Sequence, residues 1–146
     1  VHIGHDCVLG DKVIMANNAS VAGHVVVGDY ANFGGYSGVP QFRSIGENTH
    51  IAAMSLVTKD VPAFMTVAGN PASAVGLNLE GMRRRDFSTD ALAALKESHK
   101  IVYRSGLTKN IALNRLAELR SKYSEVEKFA RSIESSESGI IRGRSH

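Results

Sequence analysis

Every sixth residue from Ile3 onward is apolar: Ile3, Leu9, Met15, Val21, Val27, Phe33, Val39, Ile45, Ile51 and Val57. With 43% of the chain hydrophobic, ten such positions coincide by chance only about twice in ten thousand trials. A second column lies four residues downstream: Cys7, Val13, Ala19, Val25, Ala31, Ser37, Arg43, Thr49, Ser55 and Val61. All of these are small or β-branched except Arg43. Gly follows the first column at Gly4, Gly10, Gly28, Gly34 and Gly46, and Ala does so at Ala16, Ala22 and Ala52. A period of six fits neither a helix nor a hairpin meander and predicts a solenoid. Each coil comprises three short strands, and coils stack about 4.8 Å apart. The glycines are expected to supply positive φ at tight corners. Pro40 and Arg43 predict a bulge or loop, because Pro cannot donate to a ladder.

Asp60-Val61-Pro62 and Gly69-Asn70-Pro71 punctuate the end of the coils, and the period changes from Leu77. The expected division is 1–72 as solenoid and 73–146 as a helical domain. A short helix is predicted over 78–86. Ser88-Thr89-Asp90 then reads as a helix start, with Leu92, Leu95, Ile101 and Val102 as its apolar face and Gly106 as its stop. A second long helix covers 109–122. Ser124 and Glu127 form the pattern of a capping box that opens a third, and the residues after Ser135 read as frayed.

Composition adds three constraints. A single cysteine, Cys7, excludes an internal disulfide and reads as core filler. No run approaches the roughly 18 apolar residues of a membrane span, and no signal peptide is visible, so a cytoplasmic location is the default. The net charge of +3 does not point to nucleic acid, but its distribution is uneven. Residues 1–62 hold three Lys/Arg against five Asp/Glu, and 63–146 hold fourteen against nine, so an acidic protein partner for the C-terminal part is expected. The chain opens at Val1 in mid-pattern, as expected for the C-terminal portion of a longer protein.

Candidate chemistry follows from position arithmetic. Three strands of six make a coil of eighteen, so His5, Gly23 and Gln41 stack on one line, with Asp6 and His24 beside them. Taken singly, His5 reads as a solvated face residue. In register with a carboxylate, a second imidazole, an amide and an unhindered backbone N–H, it suits acyl transfer to an alcohol. His5 is assigned as general base, Asp6 as the group orienting its other ring nitrogen, and the Gly23 N–H as oxyanion donor. His2, His5 and His24 lack a convincing ligand set, so no metal is expected. His50 and His99 read as surface residues. Arg83-Arg84-Arg85 reads either as a solvated basic turn or as a phosphate contact.

The segments His2-Ile3-Gly4-His5-Asp6-Cys7, Ala16-Asn17-Asn18-Ala19, Ala22-Gly23-His24-Val25, Gln41-Phe42, Gly69-Asn70-Pro71, Gly76-Leu77-Asn78, Glu80-Gly81 and Arg84-Arg85 carry a resemblance. The chain resembles the hexapeptide-repeat acyltransferases, whose fold is a left-handed parallel β-helix followed by a small helical domain. The handedness comes from that resemblance alone, since parallel crossovers in general are right-handed. The resemblance implies transfer of a (3-hydroxy)acyl group from acyl carrier protein to the 3-hydroxyl of a UDP-N-acetylglucosamine-type sugar, the opening step of lipid A synthesis. It implies the same roles for His5, Asp6 and Gly23, and nucleotide-sugar contacts at His24, Gln41, Asn78, Glu80, Arg84 and Arg85. His2 matches a histidine kept near the site, and Ala53 matches the position that measures acyl length. A homotrimer with sites at subunit clefts, no cofactor, and the cytoplasm of a Gram-negative-type bacterium are also implied. Pro40 replaces a family histidine, removing a donor to substrate. An amino-sugar acceptor and a non-catalytic scaffold are the rival readings.

Overall fold

A computed structural model describes residues 1–143. Nine two-residue strands follow at six-residue intervals: β1 (His2–Ile3), β2 (Val8–Leu9), β3 (Ile14–Met15), β4 (Ser20–Val21), β5 (Val26–Val27), β6 (Asn32–Phe33), β7 (Gly38–Val39), β8 (Ser44–Ile45) and β9 (His50–Ile51). Each of β1 to β6 pairs in parallel with the strand three places on, as in His2 with Ser20, Val8 with Val26 and Ile14 with Asn32. The eighteen-residue offset is one coil. The columns β1-β4-β7, β2-β5-β8 and β3-β6-β9 form the three faces of a parallel β-helix. Val21, Phe33, Ile51 and Val57 are fully buried inside it, while Ile3 on the first coil is 45% exposed.

The glycines do not have the role expected of them. None of Gly4, Gly10, Gly28, Gly34 and Gly46 has positive φ among the described residues. They are needed because the next coil passes too close for a side chain. A Cβ on Gly4 would stand 2.6 Å from Ala22 C and Gly23 N, and one on Gly28 would stand 2.5 Å from Glu47 N. Positive φ falls instead on the second turn residue of each corner, including Asp6 (59°), His24 (58°), Tyr30 (62°) and Phe42 (63°). This conformation costs an L-residue roughly 1–2 kcal/mol. From the second coil onward a coil-to-coil hydrogen bond offsets it: His24 N–H donates to His5 O at 2.9 Å, Tyr30 to Asp11 O at 2.9 Å and Phe42 to Gly23 O at 3.1 Å.

No bulge forms at Pro40, because β8 pairs with β5 in the regular register, Val26 with Ser44. Arg43 turns outward, donating from Nε to Thr58 O (2.9 Å) and from Nη1 to Gln41 O (3.3 Å). The irregularity comes later. Gly38 still bridges Leu56, eighteen residues on, but Ile45 bridges Val61 and His50 pairs with Thr66, sixteen on. The last coil is therefore two residues short, and the loss falls between Leu56 and Val61.

β10 (Met65–Gly69) continues the β9 face and pairs antiparallel with β11 (Ala72–Leu77). Helices follow: α1 (Leu79–Arg84), α2 (Thr89–Tyr103), α3 (Lys109–Arg115), α4 (Ala117–Lys122) and α5 (Ser124–Glu134). Ser88 caps α2 as expected, its hydroxyl accepting from Ala91 N at 3.0 Å. The single helix expected over 109–122 breaks at Leu116, which is fully buried. The capping box does not form. Glu127 instead takes two hydrogen bonds from Arg120 (2.7 and 3.1 Å), which hold its carboxyl down to about 2.

The segment after Ser135 is docked rather than frayed as far as Gly143; residues 144–146 lie outside the described part. Ser136 Oγ donates to the buried Asp60 Oδ2 at 2.6 Å, Ile141 N–H donates to Asp60 O at 2.8 Å, and Ala74 N–H to Arg142 O at 2.8 Å. Among the described residues no helix is long and apolar enough to cross a membrane. Because coil spacing excludes a side chain at Gly28, Gly28→Val is expected to destabilise the protein by about 1–3 kcal/mol. Gly38→Ala, whose Cβ would meet Leu56 Cδ1 only at 3.6 Å, should leave the urea midpoint unchanged.

Candidate active site

The turns at 5–6, 23–24 and 41–42 stack along one edge of the β-helix, as the eighteen-residue arithmetic requires. Positive φ at Asp6 and His24 turns these side chains out from the edge. His5 Nδ1 lies 3.0 Å from Asp6 Oδ2, and His24 Nε2 lies 3.7 Å from the same oxygen. The hydrogen bond from His5, followed by the charge of His24, holds the Asp6 carboxyl below its ordinary value. Asp6 is therefore ionised wherever histidine titrates, and an ionised carboxylate can only accept. The proton of a neutral His5 then sits on Nδ1, which leaves the Nε2 lone pair free.

That nitrogen faces Gly23. A Cβ at Gly23 would stand 2.9 Å from His5 Nε2, so any side chain there would displace the imidazole. The Gly23 N–H donates to no acceptor among the described residues. His24 stands edge-on to His5, with ring centroids 5.0 Å apart, and stacks on Phe42 at 4.7 Å. The edge thus carries a ladder of rings, His5–His24–Phe42, with a free basic nitrogen beside a free amide. Gln41 is exposed at the third turn, and His2 is exposed on β1 beside Ser20. The spacing of the histidines predicted no metal set, yet Asp6 supplies the missing carboxylate. One ligand atom from each of His5, Asp6 and His24 falls within 4.8 Å of the others.

The remaining candidates lie elsewhere on the chain. Asn78, Glu80, Arg84 and Arg85 line a cavity of about 520 Å³ on the β3-β6-β9-β10 face, whose lining includes none of His5, Asp6, Gly23, His24 or Gln41. Ala53 sits at the third edge, exposed beside Met54. The Asn78 side chain is committed to structure, accepting from Gly81 N (3.2 Å) and donating to Asn48 O (3.0 Å). Glu80 and Arg84 pair along exposed α1 at 2.6 Å. Arg85 is partly enclosed, with its guanidinium 3.6 Å over the Tyr30 ring and 3.7 Å from Glu47.

The same cavity is lined by residues the sequence reading passed over: Lys12, Tyr30, Asn32, Asn48 and His50. His50 is thus a cavity residue and not simply a surface one. Asn48 is 2% exposed, and its Nδ2 has no hydrogen-bond partner among the described residues. A buried donor without an acceptor is costly unless a ligand or water fills the role. The signal was present in the sequence, since Lys12, Tyr30 and Asn48 are spaced by eighteen, as are Asn32 and His50.

The chain is similar to proteins of known family. The family model described as UDP N-acetylglucosamine O-acyltransferase, domain 2, matches residues 60–141. An acyl-[acyl-carrier-protein]–UDP-N-acetylglucosamine O-acyltransferase of Thiobacillus denitrificans is 49% identical over 142 residues, covering 97% of this chain and 55% of the relative. One from Ectopseudomonas mendocina is 50% identical over 141 residues with the same coverage. Among solved structures, LpxA of Acinetobacter baumannii superposes with a TM-score of 0.91 at 44% identity, covering 94% of this chain and 54% of that one. The UDP-N-acetylglucosamine acyltransferase of Francisella novicida gives 0.93 at 34% identity, covering 98% and 53%. The chain therefore spans about half the length of the curated relatives it matches.

His5 is the leading cause of the low Asp6 carboxyl value. In His5→Ala, carbon-13 NMR titration of Asp6 should place its pKa above that of the parent. It should stop short of the ordinary carboxylate value, because the His24 charge remains. An unmoved Asp6 titration would show that the 3.0 Å contact does not govern this edge.

Proposed function

The chain belongs to the UDP-N-acetylglucosamine O-acyltransferase family, and we propose that the protein transfers a (3-hydroxy)acyl group from acyl carrier protein to the 3-hydroxyl of UDP-N-acetylglucosamine, opening lipid A synthesis. The observation that carries this reading is the free His5 Nε2 beside the unencumbered Gly23 N–H, with Nδ1 held by an ionised Asp6. In the reaction, His5 Nε2 takes the hydroxyl proton as the sugar oxygen bonds to the thioester carbonyl carbon. The carbonyl π electrons move onto oxygen, where the Gly23 N–H stabilises the oxyanion. Collapse re-forms the carbonyl and breaks the C–S bond, and the imidazolium returns its proton to the departing thiolate. Asp6 stabilises the transient imidazolium. A sugar ester and a carrier thiol result, with no cofactor consumed.

His2, His24 and Gln41 are taken as sugar contacts on the reacting edge, and Asn78, Glu80, Arg84 and Arg85 as nucleotide contacts. Ala53 is the acyl-length position. These groups occupy separate edges and faces of one chain, so a single site built from them needs neighbouring copies. That need supports a homotrimer with active sites between subunits. So does the apolar surface on the solenoid, where Tyr36 is 67% exposed, Phe42 61% and Met54 74%. The basic excess after residue 62 suits docking of an acidic carrier protein. A cytoplasmic location in a Gram-negative-type cell goes with those substrates.

Turnover by the full-length protein with a panel of acyl carrier proteins, and with UDP-N-acetylglucosamine or its amino-sugar analogue as acceptor, tests the reaction. His5→Ala should lower kcat by about 10²–10⁴-fold with the protein still folded. Absence of turnover with every donor would overturn the reading, and preference for an amino-sugar acceptor in the same panel would reassign the product to an amide. Raising salt from low to high ionic strength should raise KM for the carrier while leaving KM for the sugar nucleotide less affected.

A further inference from the structure

Away from the proposed active site, the helical part encloses a second cavity of about 290 Å³ between α2, α3, α5 and the docked tail. Its walls are apolar, formed by Val102, Leu107, Leu113, Ile133 and Ile140. Three cations line it: Lys59 from the last coil, Lys109 from the start of α3, and Arg142 from the tail. No other cavity described above combines an apolar interior with cations alone as its charged groups.

The cations are placed but not neutralised. Lys109 Nζ donates to Glu134 O at 3.4 Å, the last residue of α5, and to Ser136 O at 3.1 Å just beyond it. Arg142 Nη2 donates to Val102 O at 3.1 Å, and its guanidinium stands 5.0 Å from the Tyr103 ring centroid. Carbonyls and a ring hold these side chains in position and leave the net charge in place. Among the described residues none of Lys59, Lys109 and Arg142 forms an ion pair with a carboxylate. Lys109 has three ammonium protons and Arg142 five N–H donors, so donors remain for an incoming anion.

The interior sets the other half of the ligand. A water occupies roughly 30 Å³ of liquid and needs two to four polar partners, so an apolar chamber this large is a poor home for water. It lies near the lower end of ligand cavities, roughly 300–1,000 Å³, which favours a slender chain over a ring system or a nucleotide. An apolar chamber with unneutralised cations at its wall suits a molecule with one anionic head and one hydrocarbon tail. We propose that this cavity binds a medium-chain fatty acid, with the carboxylate held by Lys109 and Arg142, Lys59 adding charge, and the tail among Leu107, Leu113 and Ile133. This site is separate from the groups assigned to acyl transfer and does not rest on that assignment.

The test is titration of the full-length protein with carboxyl-carbon-13 decanoate, followed by NMR and calorimetry, with decanol as the uncharged control. The expected result is one saturable site per chain, at which decanoate binds at least about tenfold tighter than decanol. Lys109→Gln combined with Arg142→Gln should remove that preference. Leu113→Trp, which fills the chamber, should abolish binding in a protein whose circular dichroism is unchanged. If Leu113→Trp does not fold, the paired glutamine variant carries the test, since both residues are exposed. Equal affinity for decanoate and decanol, or no saturable site, would overturn the proposal. So would decanoate binding that survives both variants, which would place the fatty acid in an acyl groove elsewhere.

Discussion

The distance between stacked coils governs this structure. Parallel ladders set it at about 4.8 Å, and every residue of one coil then answers to the residue eighteen places on. At five of the positions that follow an inward apolar residue, Gly4, Gly10, Gly28, Gly34 and Gly46, the neighbouring backbone comes so near that a Cβ has no room. The same closeness lets the corners of the second and later coils donate a backbone hydrogen bond to the coil before them, and that bond sustains left-handed backbone at residues as bulky as Tyr30 and Phe42. Without stacking, those corners would be unfavourable individually. With it they are repeated along the whole solenoid.

The chemistry is a by-product of this repeat. A left-handed corner turns its side chain outward, so three coils present three side chains in file along an edge. At one edge the file brings Asp6 and His24 together, with His5 and Gly23 one residue behind them. At the next edge it brings Lys12, Tyr30 and Asn48 into the wall of the large cavity. The scaffold is hydrogen-bonded coil to coil, which suits the proposed pairing of a base and an oxyanion donor in fixed relation. The prism also keeps its edges apart, and for that reason a single chain cannot combine the His5 edge with the Arg85 face.

The helical part is tied to the solenoid by a few buried polar contacts. Asp60, 5% exposed, accepts from Ser44 N and from Ser136 Oγ, and its carbonyl accepts from Ile141 N. It sits where the last coil loses two residues, so the end of the solenoid and the docking of the tail share one anchor. The tail in turn closes the apolar chamber beside α3.

The six-residue period, the inward columns, the coil of eighteen and the file of His5, Gly23 and Gln41 were all legible in the sequence. In a solenoid every structural neighbour lies at a constant offset, so a one-dimensional pattern carries three-dimensional information. Helix α2 was legible for a similar reason, since the cap at Ser88 is a contact between residues three apart. Where contacts cease to be local or periodic, sequence reasoning failed. The positive φ of the corners belongs to Asp6 and His24 and not to the glycines, because close approach of a neighbouring coil, and not turn geometry, selects Gly. The break at Leu116, the preference of Glu127 for Arg120, and the docking of Ile141 on Asp60 all depend on partners that no spacing rule names. The unpartnered Nδ2 of Asn48 and the separation of the candidate residues onto different edges were likewise decided by tertiary structure alone. Burial and direction are properties of the assembled prism, and a single residue's identity does not contain them.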